Sequence, residues 1–140
     1  MNWKYLQSIL LYSMIFCHII ADFNLQGCLA DLKQEAWWKK HYPDKKYECD
    51  YNAALWMHSF AWSFMIHIPI IVVLLCRNIM TVEKSIILSI TFWTNHWIHY
   101  IVDDMKANNR VINLCQDQLI HVVQVLGTFS IFVFIVKILG

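Results

Sequence analysis

The chain has 140 residues, of which 59% are hydrophobic and 15% charged, against roughly 25% charged in an ordinary soluble domain. Its three glycines and two prolines supply few of the turns that an all-β fold needs. The net charge is +1, and no basic patch is interleaved with aromatic residues, so nucleic-acid binding is not expected. The composition predicts an all-α integral membrane protein.

Four apolar stretches are long enough to cross a bilayer as helices, since a span needs about 20 mostly apolar residues. They cover residues 5–26, 51–76, 82–105 and 111–139. We predict one domain, residues 1–140, folded as a bundle of four transmembrane helices. The first stretch lacks a signal-peptide cleavage site and is predicted to be retained. Pro69 is expected to bend or loosen the second span.

A polar segment from Asp31 to Asp50 separates the first two spans. It carries five lysines and the pair Trp37 and Trp38. Tryptophan prefers the headgroup level and lysine extends from there to water, so the segment is predicted to be a short interfacial helix or a plain solvated loop. Lysine and arginine are commoner in the first and third loops than on the other side. We therefore predict that these loops are cytoplasmic and that both termini lie outside.

Ionisable side chains recur near one end of each span. Three spans carry an imidazole and a carboxylate four positions apart, a spacing that puts both on one helix face. In an up-down-up-down bundle these pairs, with one histidine of the second span, reach the same side and can share one pocket. The predicted metal ligands are His18, Asp22, His58, His99, Asp103, Asp117 and His121.

Imidazole together with carboxylate suits zinc, manganese or iron, and the predicted set is large enough for one or two divalent ions, zinc being favoured. A bound ion lowers the pKa of a coordinated water to about 7. Asp22 or Asp103 is predicted as general base, and Lys106 either attracts an anionic substrate or pairs with Asp103. The alternative is a metal-free hydrogen-bond network, although such interhelical bonds average only about 0.6 kcal/mol each.

Other polar residues are assigned to supporting or unrelated positions. Four are predicted to hold the ligands in place, and His96 could itself be a ligand. Three more are predicted to lie outside the site: His67 as a structural residue, His41 as a solvated one and Asp104 at the surface. The predicted supporting residues are Gln26, Asn95, His96 and Gln118.

Three strings of residues carry a resemblance to a known family. They are H-I-I-A-D-F-N-L-Q from His18, H-W-I-H-Y-I-V-D-D-M-K from His96 and D-Q-L-I-H from Asp117. With His58, their order and spacing resemble, over most of the chain, an uncharacterised family of small bacterial and phage integral membrane proteins called domain of unknown function three-three-zero-seven. The HxxxD spacing is also distantly similar to bacterial inner-membrane metal-dependent hydrolases.

The resemblance implies a bacterial inner-membrane location and a functional set, but no particular substrate. That set is His18, Asp22, Gln26, His58, His99, Asp103, Lys106, Asp117, Gln118 and His121.

The leading hypothesis is a membrane-embedded metal-dependent hydrolase that takes an amphipathic, lipid-like substrate from the cytoplasmic leaflet. A transporter or binding protein for protons or divalent cations and a non-enzymatic membrane effector are the alternatives. The sequence leaves the oligomeric state open.

Overall fold

A computed structural model describes residues 3–139, and every regular element in that range is a helix. The all-α prediction is confirmed for this part of the chain. Helix α1 covers Trp3–Ile19 and continues as a π-helix over Ile20–Asn24. The remaining elements are α2 (Leu29–Leu32), α3 (Glu35–His41), a 3-10 turn (Lys45–Tyr47), α4 (Asp50–Cys76), α5 (Val82–Ala107) and α6 (Leu114–Leu139).

The long helices pack side by side, so that α1 and α5 each contact both α4 and α6. A tight turn joins α4 to α5. Asn78 takes the left-handed conformation there, with φ at 52°, and the N–H of Ile79 donates to the carbonyl of Leu74. This pattern closes a helix by satisfying its last carbonyls. Helix α5 then begins behind Thr81, whose hydroxyl accepts from the Lys84 N–H.

Three segments are long and apolar enough to cross a membrane, namely Trp3–Asn24, Lys45–Cys76 and Leu114–Ile138. Helix α5 has 26 residues but does not meet the same composition, because its inner face is polar. The prediction of helices that are able to cross a membrane is thus confirmed for α1, α4 and α6. Helix α4 continues through Pro69, so the proline does not break it.

Much of the apolar core lies away from the cluster of buried histidines and aspartates. The core contains Leu10 and Met14 of α1, with Ile66 and Ile70 of α4. It lies toward the beginning of α1, whereas the buried histidines and aspartates cluster where α1 ends and α6 begins.

The segment between α1 and α4 folds over the polar end. Helices α2 and α3 both pack against α4, and the Trp38 indole donates to the carbonyl of Leu32 at 2.6 Å. The amide of Asn108, which follows α5, donates to the carbonyl of Lys33 and accepts from the N–H of Glu35. The polar segment therefore contains a short helix, α3, and is held by hydrogen bonds to the residue that follows α5.

Candidate metal centre

Helix α1 widens into a π-helix where it delivers Asp22 to the interior. Asp22 and His18 are both buried, although the π-turn departs from the regular α spacing predicted between them. The Gln26 side chain donates to the carbonyl of Asp22 and so holds the end of this wider turn. Single π-turns inside α-helices are frequently found at functional sites.

A first set of ligand atoms comes from Asp22, His58 of α4, and His99 and Asp103 of α5. One nitrogen or oxygen from each lies within 4.8 Å of the others. The Nε2 atom of His58 is 3.3 Å from Asp22 Oδ1 and 3.3 Å from Asp103 Oδ2. The Nε2 atom of His99 is 3.2 Å from His58 Nε2 and 3.8–3.9 Å from the same two oxygens. One ion could contact all four side chains if the Nε2 atom of His99 gave up its hydrogen on binding, since His99 Nδ1 lies 3.2 Å from His121 Nδ1.

A second set consists of Asp22, Asp117 and His121, which also offer ligand atoms within 4.8 Å of one another. His121 Nε2 lies 3.2 Å from Asp117 Oδ1 and 3.7 Å from Asp103 Oδ1. All three atoms are buried, and none has a hydrogen-bond partner within the part of the chain that the structure describes. Burying polar atoms without partners costs free energy unless a cation or a proton lies between them.

A chain of hydrogen bonds on the outer side of His121 decides which ring nitrogen carries hydrogen. The Thr128 hydroxyl donates its hydrogen to the backbone carbonyl of Gln124 at 2.9 Å. The hydroxyl oxygen therefore accepts from the side-chain amide of Asn95 at 2.6 Å. The Asn95 side-chain oxygen then faces the amide nitrogen of Gln124, which donates to it at 3.2 Å. Gln124 Oε1 is left to face His121 Nδ1 at 3.0 Å.

Because Gln124 Oε1 can only accept, His121 Nδ1 must donate to it. In the neutral imidazole, Nε2 then carries a lone pair, and that lone pair points toward Asp103 and Asp117. The structure thus brings together one nitrogen and two oxygens that are all acceptors. A divalent cation, or a second proton on His121, is the kind of occupant that satisfies them.

A matching chain holds the carboxylates on the α1 side. The Trp62 indole donates to His18 Nδ1 at 2.9 Å. The Gln118 amide donates to Asp22 Oδ2 at 2.5 Å and to Asp117 Oδ2 at 3.0 Å. The predicted ligand His18 lies outside both sets, and its Nδ1 atom accepts from Trp62. Gln118 contacts two ligand carboxylates, as its predicted supporting role requires.

Two lysines pair with the ligand carboxylates. Lys33 Nζ lies 2.6 Å from Asp103 Oδ2, and the Lys33 side chain is only 6% exposed. Lys106 Nζ lies 2.5 Å from Asp117 Oδ2 and 3.8 Å from Asp103 Oδ1. Lys33 belongs to the lysine-rich segment that was predicted to be an interfacial helix or a solvated loop. The structure corrects both alternatives for this residue, because the short connection after α1 turns Lys33 inward.

The other predicted residues divide between the site and its surroundings. Asn95 belongs to the chain that orients His121. His96 is fully buried but contacts neither set, and both its ring nitrogens lack a partner among the described residues, since aromatic rings such as Trp56 surround it. His67 hydrogen-bonds within α4 and to α5, and Asp104 accepts from the asparagines that end α5.

Sequence reasoning missed Lys33, Trp62 and Gln124. Helical spacing could have pointed to two of them, because Trp62 follows His58 by four positions and Gln124 follows His121 by three. Trp62 stacks on the His99 ring with centroids 4.3 Å apart as well as binding His18. No such pattern marks Lys33, which reaches the site through the path of a loop.

Comparison of the chain with protein families, with curated proteins and with solved structures finds no match. The family resemblance therefore stays a prediction. What the structure itself establishes is a buried cluster of histidine and aspartate side chains with spacings that a metal ion can bridge.

Proposed function

We propose that this chain is a membrane-embedded, metal-dependent hydrolase whose four long helices all cross the bilayer. Its substrate is amphipathic, with a polar head at the buried His/Asp cluster and an apolar tail among the helices. The observation that carries the proposal is the convergence of His121 Nε2, Asp103 Oδ1 and Asp117 Oδ1, all buried and without hydrogen-bond partners among the described residues.

The surface pattern of α5 supports its assignment as the fourth span. Its polar residues Asn95, His99 and Asp103 are buried, whereas Ile90 and Trp97 are more than half exposed. In water the reverse arrangement is expected, because polar side chains then face outward. An apolar outer face around a polar inner one fits a helix that is surrounded by lipid on one side and by other helices on the other.

The spacings in the first set favour zinc. Four nitrogen or oxygen ligands at about 2.0–2.1 Å from a tetrahedral zinc ion lie about 3.3–3.4 Å from one another. The distances that His58 and His99 make within the set run from 3.2 to 3.9 Å. Small movements would bring all four atoms onto one ion. Manganese and iron also accept this combination of ligands.

Two ions can share the site, because the two sets meet at their carboxylates. Asp22 belongs to both sets, and Asp103 directs Oδ2 to the first and Oδ1 toward His121 of the second. A bound ion would supply a coordinated water of lowered pKa. Asp22 or Asp103, whichever leaves an oxygen free of the ions, would take a proton from such a water.

The surroundings of the cluster suit an amphipathic substrate. Lys106, whose side chain is 24% exposed, pairs with Asp117 of the cluster and is more exposed than Lys33. An open groove between α5 and α6 is lined by aliphatic residues such as Ile98 and Val123, with Gln124 beside them. In this proposal a head group approaches from the polar end, and an apolar tail lies along this groove. The lysine-rich segment on this side favours the cytoplasmic leaflet of a bacterial inner membrane, with α3 at its interface.

Metal quantification on the purified protein tests the proposal. We expect one or two transition-metal ions per chain, and we expect Asp103→Ala and His121→Ala to lose them. The chain offers matched controls in Asp104→Ala and His96→Ala, which change the same residue types nearby without touching either set. Wild-type protein without stoichiometric metal would show that the cluster is a hydrogen-bond network, with His121 carrying the second proton.

The activity is tested separately from metal binding. Metal-loaded wild-type protein in mixed micelles should hydrolyse an amphipathic ester that Asp103→Ala protein leaves intact. Equal turnover by both proteins would refute the hydrolase assignment even if the wild type contained metal.

A further inference from the structure

We propose that the head group of the substrate is an anionic phosphate ester, held between the ammonium groups of Lys33 and Lys106. This inference rests on the proposed metal-dependent hydrolase and narrows its substrate class from esters and amides in general. The observation behind it is that two ammonium groups lie directly beside the candidate metal site. Such a placement needs a reason, because an ammonium group and a metal ion repel each other in a buried site.

Lys33 competes with the metal for the same atom. Its Nζ lies 2.6 Å from Asp103 Oδ2, and that oxygen is the one 3.3 Å from His58 Nε2 in the first set. An ion bound by this set would therefore deprive Lys33 of its counter-charge.

The backbone around Lys33 is held beside the cluster by Asn108. The Lys33 carbonyl accepts from the Asn108 amide at 3.1 Å, and the N–H of Glu35 donates to the same Asn108 side chain at 2.8 Å. The Lys33 side chain remains buried under this connection. Once an ion occupies Asp103, an anion from outside the chain is needed to balance the lysine.

Lys106 supplies a second cation on another side of the carboxylates, beside Asp117 Oδ2. Three ligand carboxylates against two ammonium groups leave one negative charge. One divalent ion converts this into one positive charge, and two ions into three. With two ions, a neutral ester or amide would leave all three positive charges in a buried site, whereas a phosphate ester dianion would lower the net charge to one.

Hydrolysis of such an ester balances without any further reactant. Water adds its oxygen to phosphorus, and the bond between phosphorus and the alkyl oxygen breaks. One proton of the water reaches the leaving oxygen to give the alcohol, and the other stays on the hydrogen phosphate product. Lys33 and Lys106 serve as binding residues for the non-bridging oxygens, a role in which paired cations stabilise developing charge.

The test compares two probes of equal chain length, dodecyl phosphate and dodecyl acetate, in detergent micelles with metal-loaded protein. We expect release of inorganic phosphate from the first and no hydrolysis of the second. Added inorganic phosphate should inhibit the wild-type protein competitively, a test that needs no variant. Cleavage of dodecyl acetate in preference to dodecyl phosphate would overturn the inference.

Variants then assign the effect to the two lysines. Lys33→Met and Lys106→Met should each raise KM for dodecyl phosphate by about tenfold to a hundredfold, while retaining their metal. Lys33→Arg should restore part of the loss, since it keeps the charge. Lys40→Met, which removes an exposed lysine from α3, is the matched control and should behave as wild type.

The outcomes separate this inference from the proposed function. Metal-loaded Lys33→Met and Lys106→Met proteins with wild-type KM would refute phosphate recognition and leave the metal centre standing. Wild-type protein that binds no metal would refute both phosphate recognition and the metal centre.

Discussion

The substitution Gln124→Met tests whether the buried polar chain on α5 and α6 orients a metal ligand. It removes the acceptor of His121 Nδ1 at 3.0 Å and two donated bonds to Asn95, at 3.1 and 3.2 Å. Partners of this kind typically change metal affinity by about 10- to 100-fold when they are lost. That corresponds to about 1.4–2.7 kcal/mol of binding free energy.

The metal-free protein is also expected to lose stability, because the side-chain oxygen of Asn95 is left buried without its donor. An unsatisfied group of this type costs about 1–3 kcal/mol. The two effects are measured separately, by zinc titration of the chelator-treated protein and by its denaturation without metal. Gln7→Met, the same substitution near the beginning of α1 and far from the cluster, is the control.

The result that would refute the reasoning is specific. If Gln124→Met lowers the stability of the metal-free protein but leaves zinc affinity within about threefold of wild type, Gln124 supports the fold and does not orient His121 for a metal. Loss of affinity in Gln7→Met as well would point to a global effect of the substitution.

Three further predictions follow from the metal site and the topology. Chelation should lower the melting temperature, because an ion that binds only the folded chain adds about 2.7 kcal/mol at a free concentration a hundred times its Kd; an unchanged melting temperature would contradict this. His18→Ala should retain its metal in elemental analysis, since His18 lies outside both ligand sets, and loss of metal would make it a ligand. A membrane-impermeant thiol reagent added to intact cells should label exposed Cys76 and spare the cysteines of the opposite end; the reverse pattern would invert the predicted orientation. The spared residues are Cys28, Cys49 and Cys115.

The ends of the long helices were largely predictable from the sequence. The predicted spans 51–76 and 82–105 agree closely with α4 and α5, because hydropathy and length define such segments. Helix α6 begins at Leu114, later than predicted. The side-chain oxygen of Asn113 accepts from the Gln116 N–H and so ends the preceding loop. The π-helix over Ile20–Asn24 had no sequence signal that the spacing rule could detect.

The site was predictable as a set of residue types on helix faces, but not as a set of contacts. Spacing placed His99 and Asp103 on one face of α5, and the structure brings both to the first ligand set. Spacing equally favoured His18 as a ligand. Only the position of Trp62 on another helix showed that the His18 lone pair is already used.

The sequence by itself predicted that this protein is helical, that it has long apolar segments able to cross a membrane, and that imidazole and carboxylate groups concentrate at one end of the long helices. These properties follow from local hydropathy and from the fixed rotation per residue of a helix. The tertiary structure alone decided which ring nitrogen of His121 faces the carboxylates and that Lys33 lies buried at the site. Both depend on contacts between segments far apart in the chain, and no local periodicity encodes the direction of a hydrogen bond or the path of a loop.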